Sequence, residues 1–427
     1  MRTSPVPFRF VHKIVFPEQP SAMIEKGAIP MPPAASRYTF DDDQIDRDQL
    51  RRTAFNLRWA TVEEGVIPLT AGEMDFPVAA PVLEAIEKHL RDGYLGYCPA
   101  LGFESFRQAI SEDLNAKGIA ASPQRILALD GAASALKAAC RAILKAGDEA
   151  LTFDPVDFLL PHCSELAGAT VKRCPVSPMT GAVDFEVLES LITPATKALL
   201  ICNPHNPTGR VLRKEELTAM AILAEKHDLI LISDEVWSEI ILGPIPMTSL
   251  ASLSDQIADR TITISGFSKS DGLSGLRAGY VHCENEQLFK KILEVSGVLH
   301  TTGGATVLSQ VAAEAALRNG KPWRASFVDH LKKIIPSTAT RLSELSGVVC
   351  PIPEGTFLLF PKVTAFGLET EPLAELILKE AKVAVVPGAA RWFGPGACGH
   401  LRLSVATSRE VLDSALMRLE DLWARKY

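Results

Sequence analysis

Apolar and polar positions alternate in an ordered way along most of the chain. Phe103, Phe106, Ile110 and Leu114 recur at helical spacing and stop at Lys117-Gly118, which predicts an amphipathic helix. Short apolar runs then alternate with helical stretches: RILALD (125 to 130), EALTF (149 to 153), KALLIC (197 to 202), LILIS (229 to 233) and TITIS (261 to 265). Strands of this kind are covered on both faces, so the alternation predicts an α/β architecture with a mostly parallel sheet between helices. After residue 285 the strand runs thin out. Long helical stretches lead into a mixed region with FLLFPKV (357 to 363), VAVVPG (383 to 388) and HLRLSVA (400 to 406), which predicts a smaller second domain joined by a long helix. Residues 1 to 36 are rich in Pro and without period, and they predict a loose N-terminal arm.

Composition narrows the classes without naming a function. The 427 residues suit two domains, and 47% hydrophobic with 22% charged residues is ordinary for a globular protein. Lys plus Arg number 44 against 51 Asp plus Glu, a net charge of −7. With no basic tract, nucleic acid is not an expected partner. No apolar run reaches the roughly 18 residues of a membrane helix, and the first 30 residues lack a signal-peptide core. A cytoplasmic protein with no membrane partner is the expectation. The eight cysteines form no CxxC pair, so neither a metal site nor a disulfide framework is expected.

In an open parallel sheet, ligands collect beyond the carboxyl ends of the strands, which directs attention to the residues after each run. RILALD is followed by Gly131-Ala132-Ala133-Ser134 and a helical stretch, where free backbone N–H groups suit an anion, although small residues also begin helices for packing. KALLIC is followed by Asn203-Pro204-His205-Asn206-Pro207-Thr208-Gly209, a rigid turn able to aim one amide side chain. LILIS delivers Asp234, either as a helix cap or as a buried carboxylate in need of a cation. TITIS leads to GFSKSDGLSGLRAG, with Lys269 beside Ser268 and Arg277 eight positions on. A solvated lysine is the plain reading of any single Lys; one lodged among polar groups acquires a lowered pKa and can form a Schiff base with a carbonyl. Phosphate cradle, aimed amide, acid and lysine together are what pyridoxal 5'-phosphate requires.

At these motifs the sequence resembles the fold type I pyridoxal-phosphate-dependent enzymes of aminotransferase class I and II, over roughly residues 40 to 425. GFSKSDGLSGLRAG, NPHNPTG and the Ser233-Asp234-Glu235 step occur in that family's order. The resemblance implies a large domain (78 to 300) with a mostly parallel seven-stranded sheet flanked by helices. It also implies a smaller α+β domain (301 to 427, including the interdomain helix) and a segment over 37 to 77 that joins the small domain and the active site. It implies Lys269 as catalytic residue, holding the cofactor as an internal aldimine. Cofactor contacts are implied at Asp234 on the ring nitrogen, Asn206 on O3′, and Ser268, Arg277, Ala132 and Ala133 on the phosphate. Trp237 and Phe158 are further cofactor contacts, and Arg402, Gly72 and Asn206 are expected to meet the substrate, Arg402 through its α-carboxylate. Tyr97 resembles the tyrosine that reaches a neighbouring subunit's cofactor phosphate, which implies a homodimer with shared active sites; a core tyrosine is the competing reading.

Three positions depart from the family pattern. Where an aromatic ring usually covers the cofactor the chain has Asp157, so either Phe158 takes over by a one-residue shift or Asp157 faces the substrate and recognises a cationic group. Trp237 stands where Tyr or His is frequent, and Gly266 where a phosphate-binding serine is frequent. An aminotransferase acting on an amino acid and a keto acid is the expected activity. Phe40-Asp41, Arg47, Arg58-Trp59 and Gly72-Glu73-Met74-Asp75-Phe76 also resemble the MalY/PatB group of carbon-sulfur lyases, so β- or γ-elimination is the alternative, and a cofactor-binding regulator without turnover a further one.

Overall fold

All five apolar runs become strands of one seven-stranded sheet in the computed structural model, which describes residues 38 to 54 and 58 to 427. The N-terminal arm over 1 to 36 lies outside the described residues. The strands are β1 (Ile126–Leu129), β2 (Glu149–Asp154), β3 (Thr170–Pro175), β4 (Thr196–Cys202), β5 (Ile230–Asp234), β6 (Thr261–Gly266) and β7 (Gly279–His282). Their spatial order is β1-β7-β6-β5-β4-β2-β3. Only β7 runs against its neighbours, β1 and β6, so the carboxyl ends of the first six strands share one edge of the sheet. Every residue of β1 and β6 is buried, as is all of β4 except Lys197, which explains why these three strands hold apolar and small uncharged residues and, Lys197 apart, no charge.

Two strands do not stand out in the sequence. β3 is an edge strand whose Lys172 and Arg173 are only half-buried, and an edge needs cover on fewer sides than the centre. β7 is buried throughout but spans four residues and begins with glycine. That glycine is required by contact: a Cβ on Gly279 would lie 2.4 Å from the Gly131 carbonyl carbon and 2.5 Å from the Ala132 nitrogen. The lysine-bearing loop and the Gly131-Ala132 turn can therefore lie side by side.

The predicted amphipathic helix is α1 (Glu104–Ala116), burying Phe106, Ile110 and Leu114. α2 (Ala132–Ile143) starts directly after β1, and α3 (Leu159–Leu166) after β2. The long helix is α4 (Lys321–Ser343). Beyond it a three-stranded antiparallel sheet forms from Leu358–Leu359, Leu401–Ser404 and Val386–Pro387, while Ile67–Pro68 pairs in parallel with Val383–Ala384. One hydrophobic cluster runs from Phe40 to Trp423. Across it lies an ion network with a buried centre: Arg324 of α4 donates to the buried Asp271 at 2.9 and 3.1 Å and to Glu239 at 2.7 Å, and the more exposed Lys117 at the end of α1 pairs with Glu239. Removing one member of such a network leaves its partners charged and dry, so it fixes Asp271 two residues from Lys269.

Glu235, just past β5, is buried and accepts hydrogen bonds from Ser233 Oγ at 2.9 Å and Ser249 Oγ at 2.6 Å. Burial pushes its carboxyl up to about 7 against the opposing pull of both hydroxyls. The folded chain thus keeps a proton there that an unfolded chain releases near pH 4. Its contribution to stability is full below that pH and is lost as the pH rises towards 7, because the folded state binds more protons across the window. In thermal melts of the cofactor-free protein between pH 5 and 7.5, Glu235→Gln is expected to flatten the decline of Tm with pH relative to the parent. Parallel curves contradict the assignment.

Candidate active site

The shared strand edge gathers most of the residues singled out in the sequence. Lys269, in the loop after β6, donates from Nζ to the Gly72 carbonyl at 2.8 Å and lies 5.3 Å from the centre of the Trp237 ring. Trp237 is buried, edge-on to Phe357 at 4.7 Å. Burial lowers the Lys269 pKa, and Arg402 adds to the lowering, while the carboxylates of Asp157, Glu73 and Asp234 oppose it. The result is an amine with more neutral, nucleophilic character than a solvated lysine.

Asp234 ends β5, beside Cys202 of β4, and accepts a hydrogen bond at Oδ1 from the Val236 N–H at 3.1 Å. Its pKa is pushed up to about 7, mainly by burial and further by the nearby Asp157 and Glu235, against the Val236 bond and Lys269. Among the described residues it has no salt-bridge partner, so it is suited to a cation delivered by a ligand.

A second group forms around Asn206, in the turn after β4. Asn206 Nδ2 donates to Asp157 Oδ2 at 2.7 Å, and its Oδ1 accepts from Arg402 Nη1 at 3.4 Å. Arg402, on the strand Leu401–Ser404, also reaches the Thr70 carbonyl at 3.3 Å, with its guanidinium 5.1 Å from the Phe393 ring centre. These bonds are long, and Arg402 Nε is buried without any hydrogen-bond partner. A guanidinium so poorly satisfied is built for an anion.

Arg58 holds the loop that supplies both carbonyls. Fully buried, it donates to Pro68 O at 2.8 Å and Glu73 O at 2.8 Å, bridging the ends of the segment that carries Thr70 and Gly72, and it lies 3.4 Å from Asp75. A Cβ on Gly72 would lie 3.1 Å from Lys269 Nζ, so a larger residue there would push on the amine.

At the start of α2, Gly131 has φ +102°, a conformation natural to glycine. The guanidinium of Arg277, itself left-handed at φ 55°, lies 3.2 Å from where a Gly131 Cβ would be. Arg277 is exposed and has no ion-pair partner among the described residues. First-turn N–H groups at Ala132 and Ala133 plus this cation make an anion cradle. Gly266 lies against the same turn, since its Cβ would be 3.5 Å from the Ala132 Cβ and 2.9 Å from the Ala278 carbonyl oxygen, which leaves no space for a serine there. Ser268 is partly buried beside Lys269.

Two sequence candidates are placed elsewhere within the chain. Tyr97 is 89% exposed and lines a cavity of about 550 Å³ with Leu95, Val298 and Leu299. Phe158 turns its ring towards Trp392, edge-on at 5.6 Å, while Asp157 holds the position beside Asn206. The backbone partners Thr70 and the clamp by Arg58 carry no local signal of their function; their link to the site exists only through tertiary contact.

Amine, unpaired acid, anion cradle and unsatisfied guanidinium on one strand edge define a site for an aldehyde cofactor that carries a phosphate and a basic ring nitrogen. The family model for aminotransferase class I and II matches residues 64 to 419, and the chain belongs to that family, whose cofactor is pyridoxal 5'-phosphate. It is 36% identical over 369 residues to an aspartate aminotransferase of Pyrococcus abyssi, covering 84% of this chain and 92% of that one. The aromatic aminotransferase from Pyrococcus horikoshii superposes with a TM-score of 0.79 at 33% identity, covering 85% of this chain and 97% of that one. Cystalysin from Treponema denticola, which contains a pyridoxal 5'-phosphate cofactor, shares the fold with a TM-score of 0.83 at 24% identity, covering 91% and 99%. Among the described residues no helix is long and apolar enough to cross a membrane.

Proposed function

We propose that this chain transfers the amino group of an α-amino acid to a keto acid, with Lys269 as the catalytic residue. The observation that carries the reading is the convergence at one strand edge of a pKa-lowered amine at Lys269, a carboxyl pushed up to about 7 at Asp234, and the partly satisfied guanidinium of Arg402. When bound, pyridoxal phosphate supplies an aldehyde for the amino group and a ring that draws electrons from the substrate α-carbon. Arg277, Ser268 and the first turn of α2 at Ala132 and Ala133 hold the phosphate. Asp234 would pair with the ring nitrogen and keep it protonated. Asn206 donates to O3′, and Trp237 walls the pocket beneath Lys269. Arg402 clamps the substrate α-carboxylate, with Asn206 and the Gly72 loop completing its seat. With the cofactor bound, Lys269 would be the group that takes the proton from the substrate Cα and carries it within the site.

Tyr97 fits this scheme as a residue given to a neighbouring subunit. Its exposure, together with that of Tyr94 at 82% and Leu95 at 59%, supports a second copy of the chain on this face and hence a homodimer with shared sites. A cytoplasmic setting accords with amino acids and keto acids as partners.

The test is a panel of amino acids presented to the holoenzyme with and without a keto-acid acceptor. Turnover that requires the acceptor is the expected result. Ammonia released without an acceptor contradicts transamination and identifies an eliminating lyase instead; cofactor binding with no turnover of any amino acid identifies a regulator.

A further inference from the structure

The position before α3 holds a carboxylate inside the site. Asp157 Oδ1 accepts the Leu159 N–H at 3.0 Å, a local turn that steadies the helix entry. Oδ2 points the other way, accepting from Asn206 Nδ2 at 2.7 Å and lying 4.0 Å from Arg402 Nη1. The side chains of Asp157 and Arg402 are only 18% and 12% exposed, so their charges are weakly screened. Through Oδ2 the Asp157 carboxylate is turned to Asn206 and Arg402 of the site, and its negative charge opposes the lowering at Lys269 and adds to the raising at Asp234.

Resting on the proposed role of Arg402, we infer that Asp157 is a specificity-determining residue that selects amino acids whose side chain ends in an amine or guanidine and disfavours dicarboxylic ones. A substrate α-carboxylate seated on Arg402 and Asn206 takes over the contacts that Asp157 makes alone. The Asp157 carboxylate is then left close to a new negative charge and without its own cation. A substrate that carries a second positive charge restores the balance; one with a side-chain carboxylate adds a third negative group to the same partly dry space. The short turn to Leu159 keeps Asp157 from swinging away.

The probes are α-methylornithine and α-methylaspartate, which lack the α-hydrogen and so bind without turnover, titrated into the holoenzyme by calorimetry. The parent is expected to bind α-methylornithine more tightly. Asp157→Asn keeps an oxygen for the Leu159 N–H but removes the charge. It should weaken α-methylornithine by about 10- to 100-fold, the range for a hydrogen bond to a charged group, while α-methylaspartate binds no worse. Asp157→Glu should retain the parental preference. A parent that prefers α-methylaspartate, or an Asp157→Asn variant that shifts both ligands alike, overturns the inference. If those results come from protein in which borohydride fixes a pyridoxyl group on Lys269, the proposed role of Lys269 stands and the selectivity alone fails. Absence of that group on Lys269 sinks both.

Discussion

Lys269→Ala loses at least about 10³-fold in turnover in amine-free buffer, the scale expected when a positioned proton carrier is removed. The parent amine sits 2.8 Å from the Gly72 carbonyl and close beside Trp237, so it is aimed by the loop beneath it and by the ring at its side. Lys269 is the one lysine of the stretch GFSKSDGLSGLRAG, and the neighbouring cation, Arg402, stays protonated and cannot exchange protons at neutral pH. Because burial already disfavours the charged amine, its removal strands no ion pair, and the variant should fold. Circular dichroism and the thermal midpoint check that point, and steady-state kinetics the loss. Near-parental turnover contradicts the catalytic role.

Asp234→Asn lowers kcat by about 10² to 10³-fold with KM for the amino acid changed far less, on the scale of a lost preorganised electrostatic partner. Asparagine preserves the shape and can still accept the Val236 N–H, so the change isolates charge. The physical basis is the mismatch in the parent site: a partly buried carboxyl without a salt-bridge partner among the described residues, its pKa pushed up to about 7. A protonated ring nitrogen placed against it would supply the missing cation and would itself be kept protonated. Without the carboxylate the ring draws electrons from the α-carbon less well. Asp234→Glu should recover part of the rate. A kcat unchanged in Asp234→Asn contradicts the pairing, and a loss confined to KM assigns the residue to substrate binding instead.

Candidate residues placed at their own strand end were legible in the sequence. Gly131-Ala132-Ala133, Asn206, Asp234 and Lys269 each come within a few residues of the end of an apolar run, and a parallel sheet sends those ends to one edge whatever the details of packing. β4 and β6 announced themselves because both faces are covered, whereas β3 mixes Lys172 and Arg173 into an edge and β7 is too short to show a period. The contacts that finish the site join positions far apart in the chain: Lys269 to Gly72, Arg402 to Thr70, Asn206 to Asp157. No local propensity encodes such pairs. Arg58 is a case in point, since its adjacency to Trp59 gives no hint that its guanidinium closes the loop between Pro68 and Glu73. The Asp157 slot was visible as an unusual residue type, but its hydrogen bond to Asn206 and the turning of Phe158 towards Trp392 depend on how α3 leaves the sheet.

The covalent attachment at Lys269 can be read out directly by treating cofactor-loaded protein with borohydride and mapping the peptides by mass. The expected result is a pyridoxyl group on the peptide that contains Lys269, and on no other. A cofactor-loaded sample in which that peptide stays unmodified, or in which a different lysine carries the group, contradicts the account.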